Sequence, residues 1–89
     1  MATVRLPKQL MSYVNDQQTL SVVGADIYTA ILALVQQYPR LKPYLLNTDN
    51  NLSQFINYYV NGKDIRFLKE HQPLQDNDIV EVVLATSGG

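Results

Sequence analysis

The chain contains no cysteine, which removes disulfides, thiolate metal sites, iron–sulfur clusters and cysteine nucleophiles in one step. A secreted domain of 89 residues commonly needs disulfide staples, so their absence fits a reducing cytoplasm. Long apolar runs are missing as well. The longest, Ala30 to Val35, falls far short of the about 20 residues that span a bilayer, and residues 1–6 carry no signal-peptide pattern. No membrane partner is expected. Neither charge sign dominates: 7 Lys and Arg stand against 8 Asp and Glu, a net charge of −1. Those charges are dispersed, which leaves no basic face for nucleic acid. The single histidine, His71, lies in a polar stretch and is assigned to the surface. Asp76, Asp78 and Glu81 come nearest to a metal set. Turn solvation accounts for the first two, and no metal is expected.

What is present reads as one globular domain. Apolar residues make up 46% and charged residues 17%, too apolar a balance for a disordered chain. At this length roughly 60–65% of the unfolded surface can be buried. Thr3 to Leu6 alternates as a short strand, and Pro7 stops it. Lys8 to Gln18 is polar and reads as a generous hairpin loop without a helix, with Leu10, Met11 and Val14 available to cover the core. Thr19 to Val23 alternates again until Gly24.

Asp26 suits a helix N-cap, and from there Ile27, Ala30, Ile31, Leu34, Val35 and Tyr38 form one helical stripe. Pro39 ends it. Arg40 to Leu46 reads as a further short turn, and Asn47 to Asn51 as a polar loop. Phe55 to Val60 is a strand rich in aromatic and β-branched residues. Asn61-Gly62 is the commonest two-residue hairpin turn, since both positions tolerate positive φ, and Lys63 to Phe67 returns as the partner strand. Tyr58 and Tyr59 face opposite ways, so one of them belongs to the core. Asp64 and Arg66, at alternating strand positions, are expected to be solvated or to face a partner. Gln75 to Asp78 is a tight turn with Asn77 suited to the left-handed region. Ile79 to Leu84, apolar except for Glu81, reads as a central strand covered on both faces, with Glu81 near an exposed end or edge.

One amphipathic helix among five strands buries its stripe on one sheet face, which predicts a two-layer α+β roll. The expected core is the helix stripe with Leu6, Leu20, Val22, Ile56, Tyr58, Val60 and Val82. If the first and last strands pair in the middle, 1–84 forms the domain and 85–89 leaves the sheet centre as a flexible tail, Ala85-Thr86-Ser87-Gly88-Gly89. Five extended residues reach about 16 Å, and two terminal glycines let a narrow channel close on bare backbone. A terminal carboxylate could thereby enter another protein's active site. A frayed terminus is the plainer reading of the same residues.

The element order, the emergent Gly88-Gly89 and the run Tyr59-Val60-Asn61-Gly62-Lys63-Asp64-Ile65-Arg66-Phe67 … Pro73-Leu74-Gln75-Asp76-Asn77-Asp78-Ile79-Val80 resemble the ThiS/MoaD sulfur-carrier family. Residues 55–89 carry the resemblance well, the helix loosely, and 1–25 only by pattern. Extra residues around Tyr38 to Ser53 make the chain look more like the longer carriers, those of molybdopterin or cysteine synthesis. It departs from the family at Asn77, often glycine, and at Ala85-Thr86-Ser87, often Pro, Val or Ala types.

The resemblance implies the ubiquitin-like β-grasp: a mixed four- to five-stranded sheet, one main helix on one face, and a free tail. It implies no catalytic residue of the chain's own and no bound cofactor. Gly89 would be adenylated by an E1-like enzyme using ATP, then converted to a thiocarboxylate, with Gly88 and Ser87 threading the tail. The implied partners are that adenylyltransferase, a sulfur-donor enzyme and a sulfur-accepting synthase, either a molybdopterin synthase large subunit or a cysteine synthase type. The chain would be a co-substrate and not an enzyme. The alternatives are a ubiquitin-like modifier joined through Gly89 to lysines, and a non-covalent β-grasp module that would survive loss of Gly88-Gly89.

Overall fold

The computed structural model describes residues 1–67 and 73–84. Strands β1 (Ala2–Arg5), β2 (Thr19–Val22), β3 (Ile56–Val60), β4 (Lys63–Asp64) and β5 (Ile79–Leu84) form one mixed sheet in the order β2-β1-β5-β3-β4. β5 runs parallel to β1 and antiparallel to β3, so the last strand is the central one. Helix α1 (Ile27–Gln37) lies on one face. Its start follows from a reciprocal cap. Asp26 Oδ1 accepts from the Thr29 amide at 2.9 Å, and Thr29 Oγ1 accepts from the Asp26 amide at 3.1 Å. Tyr38 terminates it with extended-side angles, φ −129 and ψ 80, ahead of Pro39. Pro39 opens a 3-10 turn, Pro39–Leu41, and a single α-turn, α2 (Lys42–Leu45), follows.

The core forms where the stripe meets the sheet. Ala30, Ile31, Leu34 and Val35 of α1 pack with Val4, Leu6, Leu20, Val22, Ile56, Tyr58, Val80 and Val82, while Val60 is half-buried at its border. Leu41, Leu45 and Leu46 close one end. The buried Tyr58 hydroxyl donates to the Leu45 carbonyl at 3.2 Å, so the one polar atom of that ring keeps a partner. Burial raises the Tyr58 phenol pKa far above its ordinary value. Gly24 is dictated by packing: a Cβ there would sit 2.4 Å from the Ala30 amide nitrogen.

Several expectations need correction. The segment 8–18 is not a plain loop, because Lys8–Val14 winds into a 3-10 helix that buries Leu10 and Val14. Burial of those two apolar residues holds the coil against the core. The coil ends as Asn15 and Asp16 take positive φ (57 and 61). The strand after the Asn61-Gly62 turn lasts only two residues before the 3-10 turn Ile65–Phe67. Asp64 captures the Arg66 backbone amide at 2.8 Å and its guanidinium at 2.8 Å, which bends the chain. The pair is therefore mutual, and Arg66 lowers the carboxyl pKa of Asp64, first through its side-chain bond. Phe55 stands outside β3, held by its amide donating to Ser53 Oγ at 3.1 Å. Asn77 is not among the left-handed residues.

The two-face cover expected for β5 is also absent. Val80 and Val82 are buried, but Ile79 and Val83 are each 40% exposed, and Glu81 sits mid-strand between them on the open face. α1 packs on only one face, and among the described residues nothing else covers the other.

Candidate functional site

The predicted tail residues Gly89, Gly88 and Ser87 lie outside the described residues, as does His71. The described structure supplies the root of the tail. β5 reaches Leu84, which stands opposite Ile56 at the start of β3. The chain thus leaves the sheet from its central strand: β1 pairs with Ile79 to Glu81, and β3 alone pairs with Val82 to Leu84.

The other end of β5 is held by two motifs whose bonded residues are 17 and 18 apart in sequence and meet in space. Asn61 takes φ 51 and Gly62 φ 86, as a tight turn with two left-handed positions requires. Asn61 also extends the β3–β5 ladder by one rung. Its amide donates to the Ile79 carbonyl at 2.8 Å, and its Oδ1 accepts from the Ile79 amide at 2.9 Å. Its Nδ2 donates to Asp78 Oδ1 at 2.8 Å. The second oxygen of Asp78 accepts from the Gln75 amide at 2.8 Å, closing the turn. Asp78 is therefore a strut and not a solvated turn residue. The Gln75 amide, and after it the Asn61 side chain, lower its carboxyl pKa. Asp76 does stay at the surface, 3.1 Å from the N-terminal ammonium.

The open sheet face lies beside this root. Arg5 and Glu81 are register partners in the parallel pair, and Glu81 faces Tyr59 in the antiparallel one. Ile79 and Val83 flank Glu81 along β5. Tyr59 is half-buried here while Tyr58 is the core member of the pair. Among the described residues no three His, Asp or Glu side chains converge on a metal position. Glu81 lies on the open face, and Asp78 is committed to Asn61 and Gln75. The perturbed carboxylates are bound to structural partners, which leaves them little acid–base role.

Sequence reasoning missed a second polar cluster on the helical side. Tyr13 and Tyr44 stack with ring centroids 5.3 Å apart, and their hydroxyls bond at 2.9 Å. That hydroxyl bond is the main cause of the raised Tyr44 pKa. The contact staples the 3-10 helix to α2. Its only sequence signal was one aromatic in each segment, too little to pair them.

Comparison with known proteins places this architecture. A profile of the ThiS family matches residues 4–89. The sulfur carrier protein CysO of Mycobacterium tuberculosis is 29% identical over 90 residues, covering 98% of this chain and 97% of that protein. A chain in the crystal structure of the Amycolatopsis orientalis BexX/CysO complex superposes with a TM-score of 0.86 at 27% identity, over 100% of both chains. The solution structure of small archaeal modifier protein 1 from Methanosarcina acetivorans gives a TM-score of 0.87 at 26% identity, over 99% of this chain and 95% of that one.

Proposed function

This chain belongs to the ThiS family, and on that premise we propose that it is a sulfur carrier whose cargo is held on the carboxyl group of Gly89. The observation that supports this best is that the family match runs through to Gly89 itself. A free α-carboxyl has a pKa of about 3.3–3.7, so it is an anion at neutral pH and resists nucleophiles. In the proposed cycle an E1-like enzyme activates it. A carboxylate oxygen attacks the α-phosphate of ATP, pyrophosphate leaves, and an acyl-adenylate forms. Hydrosulfide from a donor enzyme then attacks the acyl carbon, AMP departs with the bonding pair, and a thiocarboxylate remains. That anion delivers sulfur to a synthase of the cysteine or molybdopterin type.

The chain's contribution is positional. It docks, feeds the tail into the partner and holds the acyl carbon at attack distance, where orientation replaces a bimolecular encounter. Gly88 and Ser87 would lie in the channel. The exit of β5 suits this work, because pairing with β3 as far as Leu84 holds the tail's root to the sheet. We place the protein in the cytoplasm, where ATP and the synthases are found. Among the described residues no helix is long and apolar enough to cross a membrane.

A second reading, conjugation of Gly89 to lysines, has the likeness to an archaeal modifier in its favour. Both readings need the same activation, so they part at its product. The test is the intact mass of protein from its native cells, with the C-terminal peptide mapped. Exchange of oxygen for sulfur at Gly89, reversed by alkaline hydrolysis, is the expected result. Gly89 in isopeptide linkage would favour the modifier. An unmodified carboxylate that persists with the activating enzyme, ATP and a sulfur source would reject both.

A further inference from the structure

Among the described residues the most exposed large apolar side chain is Phe55, at 69%. Its ring borders a cleft of about 540 Å³ walled by Lys42, Pro43, Leu46, Asn47, Thr48 and Ser53. A second cleft of about 360 Å³ shares Lys42 and Leu46 and continues along α1 past Tyr28, Leu32 and Val35. The two make one groove around the α2 turn.

The exposure of Phe55 is not the slack of a loose loop. Asn47 Oδ1 accepts from the amides of Asp49 and Asn51 at 2.8 and 3.0 Å. The Tyr28 hydroxyl donates to the Asn50 carbonyl at 2.6 Å. Ser53 is buried and accepts from the Phe55 amide. The ring is presented by a bonded loop, and such a preorganised surface loses little entropy on binding.

Charge and position say what fills the groove. Among the described residues Lys42 is the only charged side chain in either lining, and it forms no ion pair with any of them. The loop's own carboxylate, Asp49, lines neither cleft. Phe55 directly precedes Ile56, the register partner of Leu84, so the groove opens at the end of the sheet where the tail begins. We propose that this groove is a docking site for the enzyme that adenylates Gly89. The partner segment sets a carboxylate against Lys42 and an aliphatic or aromatic side chain between Phe55 and Leu46. This rests on the carrier reading above. The activating enzyme is the partner chosen because the carrier and modifier readings both require it.

The experiment measures ATP–pyrophosphate exchange by the organism's E1-like enzyme, with the full chain as the varied substrate. K42E and F55A are compared with wild type, and K63E serves as a charge-matched control. Lys63 is exposed and pairs with Val60 at the opposite end of β3. All three positions are exposed, and thermal melts confirm that the variants fold. K42E should raise KM about tenfold and F55A severalfold, with kcat within about twofold and a weaker salt dependence for K42E. K63E should match wild type. Wild-type activation with an unchanged KM in K42E and F55A would overturn the groove and leave the carrier reading standing. A lowered KM in K42E would mean that the groove holds the chain's own tail, which also overturns the proposal. No exchange with wild type would reject the carrier reading, and the groove assignment with it.

Discussion

Replacing Asn61 tests whether the hairpin and the Asp78 turn act as one lock. Asn61→Ala removes the acceptor for the Ile79 amide, the donor to Asp78 and a residue tolerant of φ 51. A neutral hydrogen bond contributes about 1 kcal/mol, and one to a charged group about 1.5–3. The second is taken at about 1 here, because the contact is exposed. Forcing alanine into the left-handed region costs about 1 more. The sum is about 3 kcal/mol, from a total of roughly 4–13 for a chain of this size. At about 4–8 °C per kcal/mol for a domain of this length, Tm should fall by about 12 °C or more. Asn61→Gly separates the causes: it keeps the backbone conformation and loses only the side-chain bonds, so it should cost about 2 kcal/mol. Urea melts at constant m, checked by calorimetry, read both values. An Asn61→Ala loss under about 0.5 kcal/mol would refute the reasoning. Equal losses for Ala and Gly would refute the backbone part alone.

Other perturbations test separate features. Asp78 has a depressed pKa, so its contribution is complete above the unfolded value of about 3.9 and is lost as pH falls through the folded one. Urea midpoints from pH 7 to pH 2 should show wild type above Asp78→Asn at neutrality, with the gap closing in acid. The buried Tyr58 phenol has a raised pKa, so its contribution holds below the unfolded value of about 10 and is lost as pH rises beyond it. Alkaline unfolding followed by circular dichroism should therefore be shallower in Tyr58→Phe. At pH 7 that variant should lose only about 1 kcal/mol, since the Leu45 carbonyl keeps the Ser53 amide at 2.9 Å. Gly24→Ala should cost about 1–3 kcal/mol by overpacking, because the added Cβ meets the backbone of α1 and not a side chain that can turn away. A thermal melt within a degree of wild type would contradict it.

Local chemistry was legible where short-range rules act alone. The α1 stripe, the Asp26 cap, the stop at Pro39 and the Asn61-Gly62 turn each depend on neighbours within a few residues, and each could be read directly. The bounds of β5 were equally plain, as was its central place, which the fold class implies. The expectation for the tail also came from sequence, because it needs only a terminal glycine pair and a resemblance that spans the hairpin and the turn.

Long-range partners were not legible. An alternating or continuous apolar run shows that a strand is buried somewhere, not how many layers cover it. The two-layer roll implied one open face, and the structure showed that β5 presents Ile79 and Val83 on it. The 3-10 helix of 8–14 buries Leu10 and Val14 in the core and sets Tyr13 against Tyr44, 31 residues away. Asp78 reads as an ordinary turn residue until Asn61 is brought against it. The cleft beside Phe55 brings Lys42 and Pro43 of α2 against Ser53 and Phe55, a juxtaposition that no local pattern announces. Composition and spacing determined most of the elements, and the family resemblance carried the expectation for the terminus. Tertiary structure decided which faces stay open and which distant side chains meet, because those depend on what packs from outside the local window.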